Sequence, residues 1–157
     1  MKKLKGFTLI ELIVVIGIVS LFTEIFIARY NENTGRLRLR SEAKKLVDVL
    51  ELAKKKALTA DLFDKNCTDF RGYRVIVGSG NYSLSFNCGG VYTEVQNYNL
   101  TLNNSIIAGT GNYDFTPMMV NPIFPATVIL VKNSLINKSI KVNISSIGVI
   151  EIDETLI

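Results

Sequence analysis

Glu11 is the one carboxylate among the first 23 residues, and it sits inside the apolar run FTLIELIVVIGIVSLF (residues 7–22). A charged side chain at bilayer depth costs about 2.5–3.5 kcal/mol even on the lenient insertion scale, so a carboxylate placed there calls for a partner. The next acid, Glu24, leaves only residues 12–23 uncharged between the two. As helix that stretch covers about 18 Å, short of a hydrocarbon core of about 30 Å. Counting from Phe7 to Ala28 restores about 33 Å, but only with both carboxylates included.

Other reactive groups are few. Histidine and tryptophan are absent, which removes Ser-His-Asp and Cys-His catalysis and the commonest zinc ligand. We therefore expect no enzyme, no cofactor and no metal site. Cys67 and Cys88 are the only cysteines. Behind an N-terminal apolar segment the reading favours a disulfide in an oxidising compartment, with two buried free thiols as the alternative. A bridge closing a loop of this size contributes about 3 kcal/mol by chain-entropy arithmetic. Asp61, Asp64 and Asp69 share a polar stretch without the twelve-residue calcium-loop pattern, and read as loop solubility and capping. The formal net charge of +4 is local in origin: residues 36–56 hold eight basic and three acidic side chains, whereas residues 57–157 hold six and eight. Arg36, Arg38 and Arg40, followed by Lys44, Lys45 and Lys54–Lys56, are candidates for nucleic-acid contact. The competing reading is a solvated helix face or contacts to acidic neighbours.

These residues must be positioned by elements of two kinds. Leu39, Ala43, Leu46, Leu50, Ala53 and Ala57 repeat at spacings of four and three, which predicts an amphipathic helix over 39–57 with Arg40, Glu42, Lys44, Lys45, Asp48, Glu51, Lys54 and Lys55 on its other faces. Beyond Asp61 the period changes to two. Strands are predicted at 73–77, 82–86, 91–95, 100–102, 127–131, 140–144 and 149–152, separated by turn clusters such as GSGN and SSIG. YRVIVGSGNYSLSF is the clearest hairpin. Helix first and strands after, without βαβ alternation, gives an α+β class. The expected fold is a long N-terminal hydrophobic helix continuing into an amphipathic helix packed on an antiparallel β-sheet head. Asn31, Asn33, Thr34 and Gly35 are poor helix formers and mark an expected weak spot between the two helical parts.

The stretch MKKLKGFTLIELIVVIGI resembles the class III signal of type IV prepilins and type II secretion pseudopilins. The resemblance lies in the short basic leader ending in Gly6, the Phe7-Thr8 start, Glu11 and the apolar run, all at the family's spacing. It implies cleavage between Gly6 and Phe7 by a prepilin peptidase, which also N-methylates Phe7. It further implies that Glu11 meets the Phe7 amine of a neighbouring subunit and sets assembly register. The domain reading is then a leader at 1–6, a transmembrane and assembly helix at 7–28, an amphipathic helix at 29–60 and a β-rich head at 61–157. The helix SEAKKLVDVLELAKKKALT (41–59) resembles, less specifically, that of FimT/GspH-type minor pilins.

Expected partners are the peptidase-methylase, other pilins or pseudopilins in a helical filament, and membrane lipid before assembly. The expected location is the cytoplasmic membrane, single-pass with the head extracytoplasmic, and then an extracellular pilus or a periplasmic pseudopilus. A minor pilin that captures DNA or a secreted substrate at a filament tip is the alternative function. Some FimT-type proteins bind DNA through a Gly-Arg-x-Arg stretch near the C-terminus, where this chain reads Gly148-Val149-Ile150-Glu151. Glu24 is read either at the outer membrane interface or paired with a neighbour.

Overall fold

A computed structural model describes residues 8–63, 66–117, 124–125 and 127–157, with the backbone alone at 25–28. The chain divides into two compact units, one ending at Thr34 and the other spanning Gly35–Ile157. Helix α1 is assigned without interruption over Leu9–Leu58, so the poor helix formers at 31–35 do not break the hydrogen-bond ladder as the sequence suggests. Propensity is a weak prior when strong formers flank both sides.

In the first unit, taken by itself, the described apolar side chains of the helix are uncovered. Every large apolar side chain described from Leu9 to Phe22 is exposed. The two hydroxyls in this stretch are satisfied internally, Ser20 donating to the Ile16 carbonyl at 2.9 Å and Thr23 to that of Val19 at 2.7 Å. Such back-bonding removes the need for water at those positions.

The second unit has an α+β pilin-like architecture. The 39–57 stripe faces inward as its period requires, with Leu39, Ala43, Leu46, Leu50, Ala53 and Ala57 all fully buried. Among the described residues eight strands follow: β1 (Phe70–Val77), β2 (Asn81–Cys88), β3 (Val91–Asn99), β4 (Asn104–Ala108), β5 (Gly111–Phe115), β6 (Val128–Asn133), β7 (Lys138–Ile144) and β8 (Ile150–Asp153). They form two four-stranded antiparallel sheets, ordered β3-β2-β1-β5 and β4-β6-β7-β8, where the sequence suggested one. Alternate residues of both sheets join the helical stripe in a single core, among them Tyr73, Val75, Leu84, Phe86, Tyr113, Ile129, Val131, Ile140 and Val142.

Two local expectations fail for identifiable reasons. The strand predicted at Leu100–Leu102 is a turn, because Leu100 donates to the Gly80 carbonyl and Asn103 adopts φ 69°. The actual strands β4 and β5 lie just beyond it. Glu42, assigned by period to an outward face, is only 2 % exposed. Its Oε1 accepts from Lys45 Nζ at 3.0 Å, while Oε2 is buried without a hydrogen-bond partner.

Sheet one is locked by features of particular residues. Gly72 has φ +123°, and a Cβ there would stand 2.1 Å from the Phe115 carbonyl oxygen, so the bulge between Phe70 and Gly72 admits no side chain. On the face turned away from Tyr73 and Val75, Arg74 donates twice to Asp114, at 2.6 and 2.8 Å. The Tyr92 ring lies 3.7 Å from its guanidinium carbon, so one arginine links three strands.

Helix α1 ends in a Schellman motif. Asp61 N–H donates to the Lys56 carbonyl and Ala60 N–H to that of Ala57, with Ala60 at φ 49°. Glycine usually fills that left-handed position. Replacing Ala60 with glycine should therefore stabilise the head by about 1 kcal/mol. Urea unfolding should show a higher midpoint with an unchanged slope, and a lower midpoint would count against this account of the helix end.

Candidate assembly site

The N-terminus of α1 is built around two side chains. Thr8 is the N-cap: its hydroxyl oxygen accepts from the Glu11 N–H at 3.3 Å, and its carbonyl accepts the first helical bond, from Leu12, at 3.2 Å. Glu11 reaches back, its Oε2 accepting from the Thr8 N–H at 2.9 Å and from the Thr8 hydroxyl at 2.8 Å. This is a reciprocal capping box, Thr-x-x-Glu, which satisfies donors that the helix start leaves unpaired. A carboxylate in the first turn also opposes the positive end of the helix dipole.

The costly residue therefore has partners within its own chain. Two bonds on one oxygen do not exhaust a carboxylate, which offers about four lone-pair sites. Glu11 can hold the helix end and still accept a further donor from outside. Around it Leu9, Ile10, Leu12, Val14 and Val15 are exposed, so a donor arriving there meets a charge surrounded by apolar surface. Sequence reasoning found Glu11 and missed Thr8, although the T-x-x-E pattern was open to view. Gly6 and Phe7, the expected cleavage pair, lie outside the described residues. Glu24 is exposed.

The remaining candidates separate. Cys67 and Cys88 are joined by a disulfide, tying the segment after α1 to the end of β2. Arg36, Arg38 and Arg40 are all exposed, but helix geometry sets Arg36 and Arg40 about 40° apart and Arg38 about 160° from Arg36. They do not form one contiguous surface on α1. Asp61 pairs with Lys56 and Asp69 with Arg71, and Asp64 lies outside the described residues. Among the described residues no three His, Cys, Asp or Glu side chains converge as a metal site.

Residues 1–23 match the family model of the prokaryotic N-terminal methylation motif, the class III prepilin signal of type IV pilins and pseudopilins. Motif and fold together support a type IV pilin-like precursor. No curated protein and no solved structure gives a match to the chain.

The capping geometry separates two substitutions of Glu11. Glutamine retains an acceptor for the Thr8 N–H, whereas alanine removes it at a cost of about 1 kcal/mol. In micelles, amide exchange at Thr8 should speed up several-fold in Glu11→Ala and stay near that of the unaltered chain in Glu11→Gln. Equal exchange in both variants would mean that the cap does not hold the helix end.

Proposed function

We propose that this chain is a structural subunit, of the minor class, of a type IV pilus or type II secretion pseudopilus. Residues 1–6 form a leader that a prepilin peptidase removes, and Phe7 becomes the methylated N-terminus. Residues 7–28 hold the subunit in the cytoplasmic membrane with the head extracytoplasmic, and 29–60 continue the helix into a β-rich head at 61–157. The observation that carries this reading is the methylation motif at 1–23 running directly into apolar helix whose described side chains are exposed. Among the described residues α1 is the helix long and apolar enough to cross a membrane.

Such a surface is stable only against lipid or other helices. In the membrane it is solvated by acyl chains, and in a filament by neighbouring copies of the same run. Cleavage would create a cationic amine at Phe7, next to the N-cap. In lipid an ammonium and a carboxylate are each costly alone and far less so together. Glu11 of one subunit then accepts from the amine of its neighbour while keeping its bonds to Thr8, which sets the axial register. The resemblance of residues 41–59 to FimT/GspH-type helices supports the minor assignment. The role is structural: chemistry is performed on the chain by its processing enzyme.

Mass spectrometry after co-expression with a prepilin peptidase should show a chain lacking residues 1–6 and bearing a methylated Phe7 terminus. An intact Met1 start would overturn the proposal. Glu11→Gln keeps the cap but removes the charge, so it should be processed normally and yet enter filaments poorly. Normal incorporation of that variant would reject the registry role for the charge.

A further inference from the structure

Two turns of the head carry leucines where turn tips are ordinarily polar. Leu102, in the turn between β3 and β4, is 79 % exposed, and Leu135, in the turn between β6 and β7, is 60 % exposed. Neither leucine sits on a loose loop. Asn133 Oδ1 accepts from the Leu135 and Ile136 N–H groups at 3.0 and 3.2 Å, and Asn133 Nδ2 donates to Asn104 Oδ1 at 2.7 Å. Asn104 N–H donates to the Thr101 carbonyl, and Ser134 N–H donates to the Asn103 carbonyl at 2.8 Å. The two turns are thus fastened side by side, with Asn103 and Asn137 both at positive φ. Fixed backbone holds both leucines outward.

Their place in the second unit is at its first residues. Ile136, beside Leu135, packs on Gly35, where a Cβ would lie 2.6 Å from Ile136 Cγ2. Two residues further, Leu37 is also exposed. Along the chain Gly35 is only seven residues beyond Ala28, where the apolar run ends. Seven residues span at most about 25 Å however they are arranged.

The charge pattern names the partner. Residues 97–110 contain no charge, and residues 132–138 contain Lys132 and Lys138 and no acid. At the other end of β7, the turn at 145–148 is followed by Glu151 opposite Asn143, and β8 then runs back along β7 with Asp153 opposite Lys141. Exposed leucines on turns whose own residues carry no acid, with Lys132 and Lys138 on either side of Leu135, are the chemistry that enters an anionic lipid surface, apolar tips at the acyl boundary and cations at the phosphates.

We propose that Leu102 and Leu135 form an interfacial foot, by which the head rests on anionic lipid while the subunit is held in the membrane. The inference depends on the membrane-anchored reading of residues 7–28, and the test separates the two. The full-length chain has no tryptophan, so a single introduced one is a clean reporter. Leu102→Trp, Leu135→Trp, Ile147→Trp and Ile16→Trp are each reconstituted into phosphatidylcholine–phosphatidylglycerol vesicles whose acyl chains are brominated near the headgroup, and Ile16→Trp is read in a second preparation brominated near the chain ends, because it lies about midway along the 7–28 span. Ile147 is an exposed control on the 145–148 turn, across the seven residues of β7, or about 20 Å, from Leu135. Cooperative melting of each variant confirms a folded head.

Leu102→Trp and Leu135→Trp should emit at shorter wavelength than Ile147→Trp and be quenched several-fold more. Quenching no greater than that of Ile147→Trp, with Ile16→Trp strongly quenched, overturns the foot and leaves the anchor standing. An unquenched Ile16→Trp removes the anchor and the foot together. A blue shift at 102 and 135 without bromine quenching, growing with protein-to-lipid ratio, would mean that a second copy covers the turns, and rejects the lipid assignment.

Discussion

The structure depends on one constraint: a single helix must bury two different apolar surfaces against two different partners. Between Leu39 and Ala57 the surface is a narrow stripe, closed by the protein's own sheets down to full burial. Between Leu9 and Phe22 it runs all the way round, and within that unit no described residue closes it. A stripe suits a two-layer fold, whereas an all-round apolar surface requires lipid or other helices. The division is written in the residue pattern, with charges at 40, 42, 44, 45 and 48 interrupting one part and only Glu11 entering the other before Glu24.

That constraint gives Glu11 its meaning. A carboxylate in an all-round apolar segment has to be satisfied locally or by an incoming donor. The Thr8 cap does the first without preventing the second. A residue that looked like a defect in an anchor is the terminal fitting of a helix, with acceptor capacity to spare.

Much of this was legible beforehand, because period survives folding. The 39–57 stripe faces the core residue for residue, and the GSGN turn closes the β1–β2 hairpin, with Val77 opposite Tyr82. What sequence left hidden was set by non-local geometry. The 100–102 run has strand-like composition, yet a hydrogen bond to Gly80 and a left-handed Asn103 turn it into a corner. The polar-looking GNYDF forms β5 because Tyr113 and Phe115 face inward, while Asp114 is neutralised by Arg74 from the next strand. Two sheets in place of one follow from that corner. Glu42 was misplaced because a helical period locates the core-facing line but not how far the β layers reach around it. At the site itself, the weight given to charge obscured Thr8, whose pattern was readable.

The Cys67–Cys88 bridge carries a directional consequence. It closes a loop of sequence separation 21, for which chain entropy supplies about 3 kcal/mol. Thiols made in a reducing compartment stay open, and such bridges persist where conditions oxidise. On the proposed extracytoplasmic placement, the newly synthesised head lacks a support that the matured head has, and is the easier of the two to unfold. A polypeptide exported in that way would be pliant on the side where it is made and stiffer on the side where it works, with oxidation a ratchet against return.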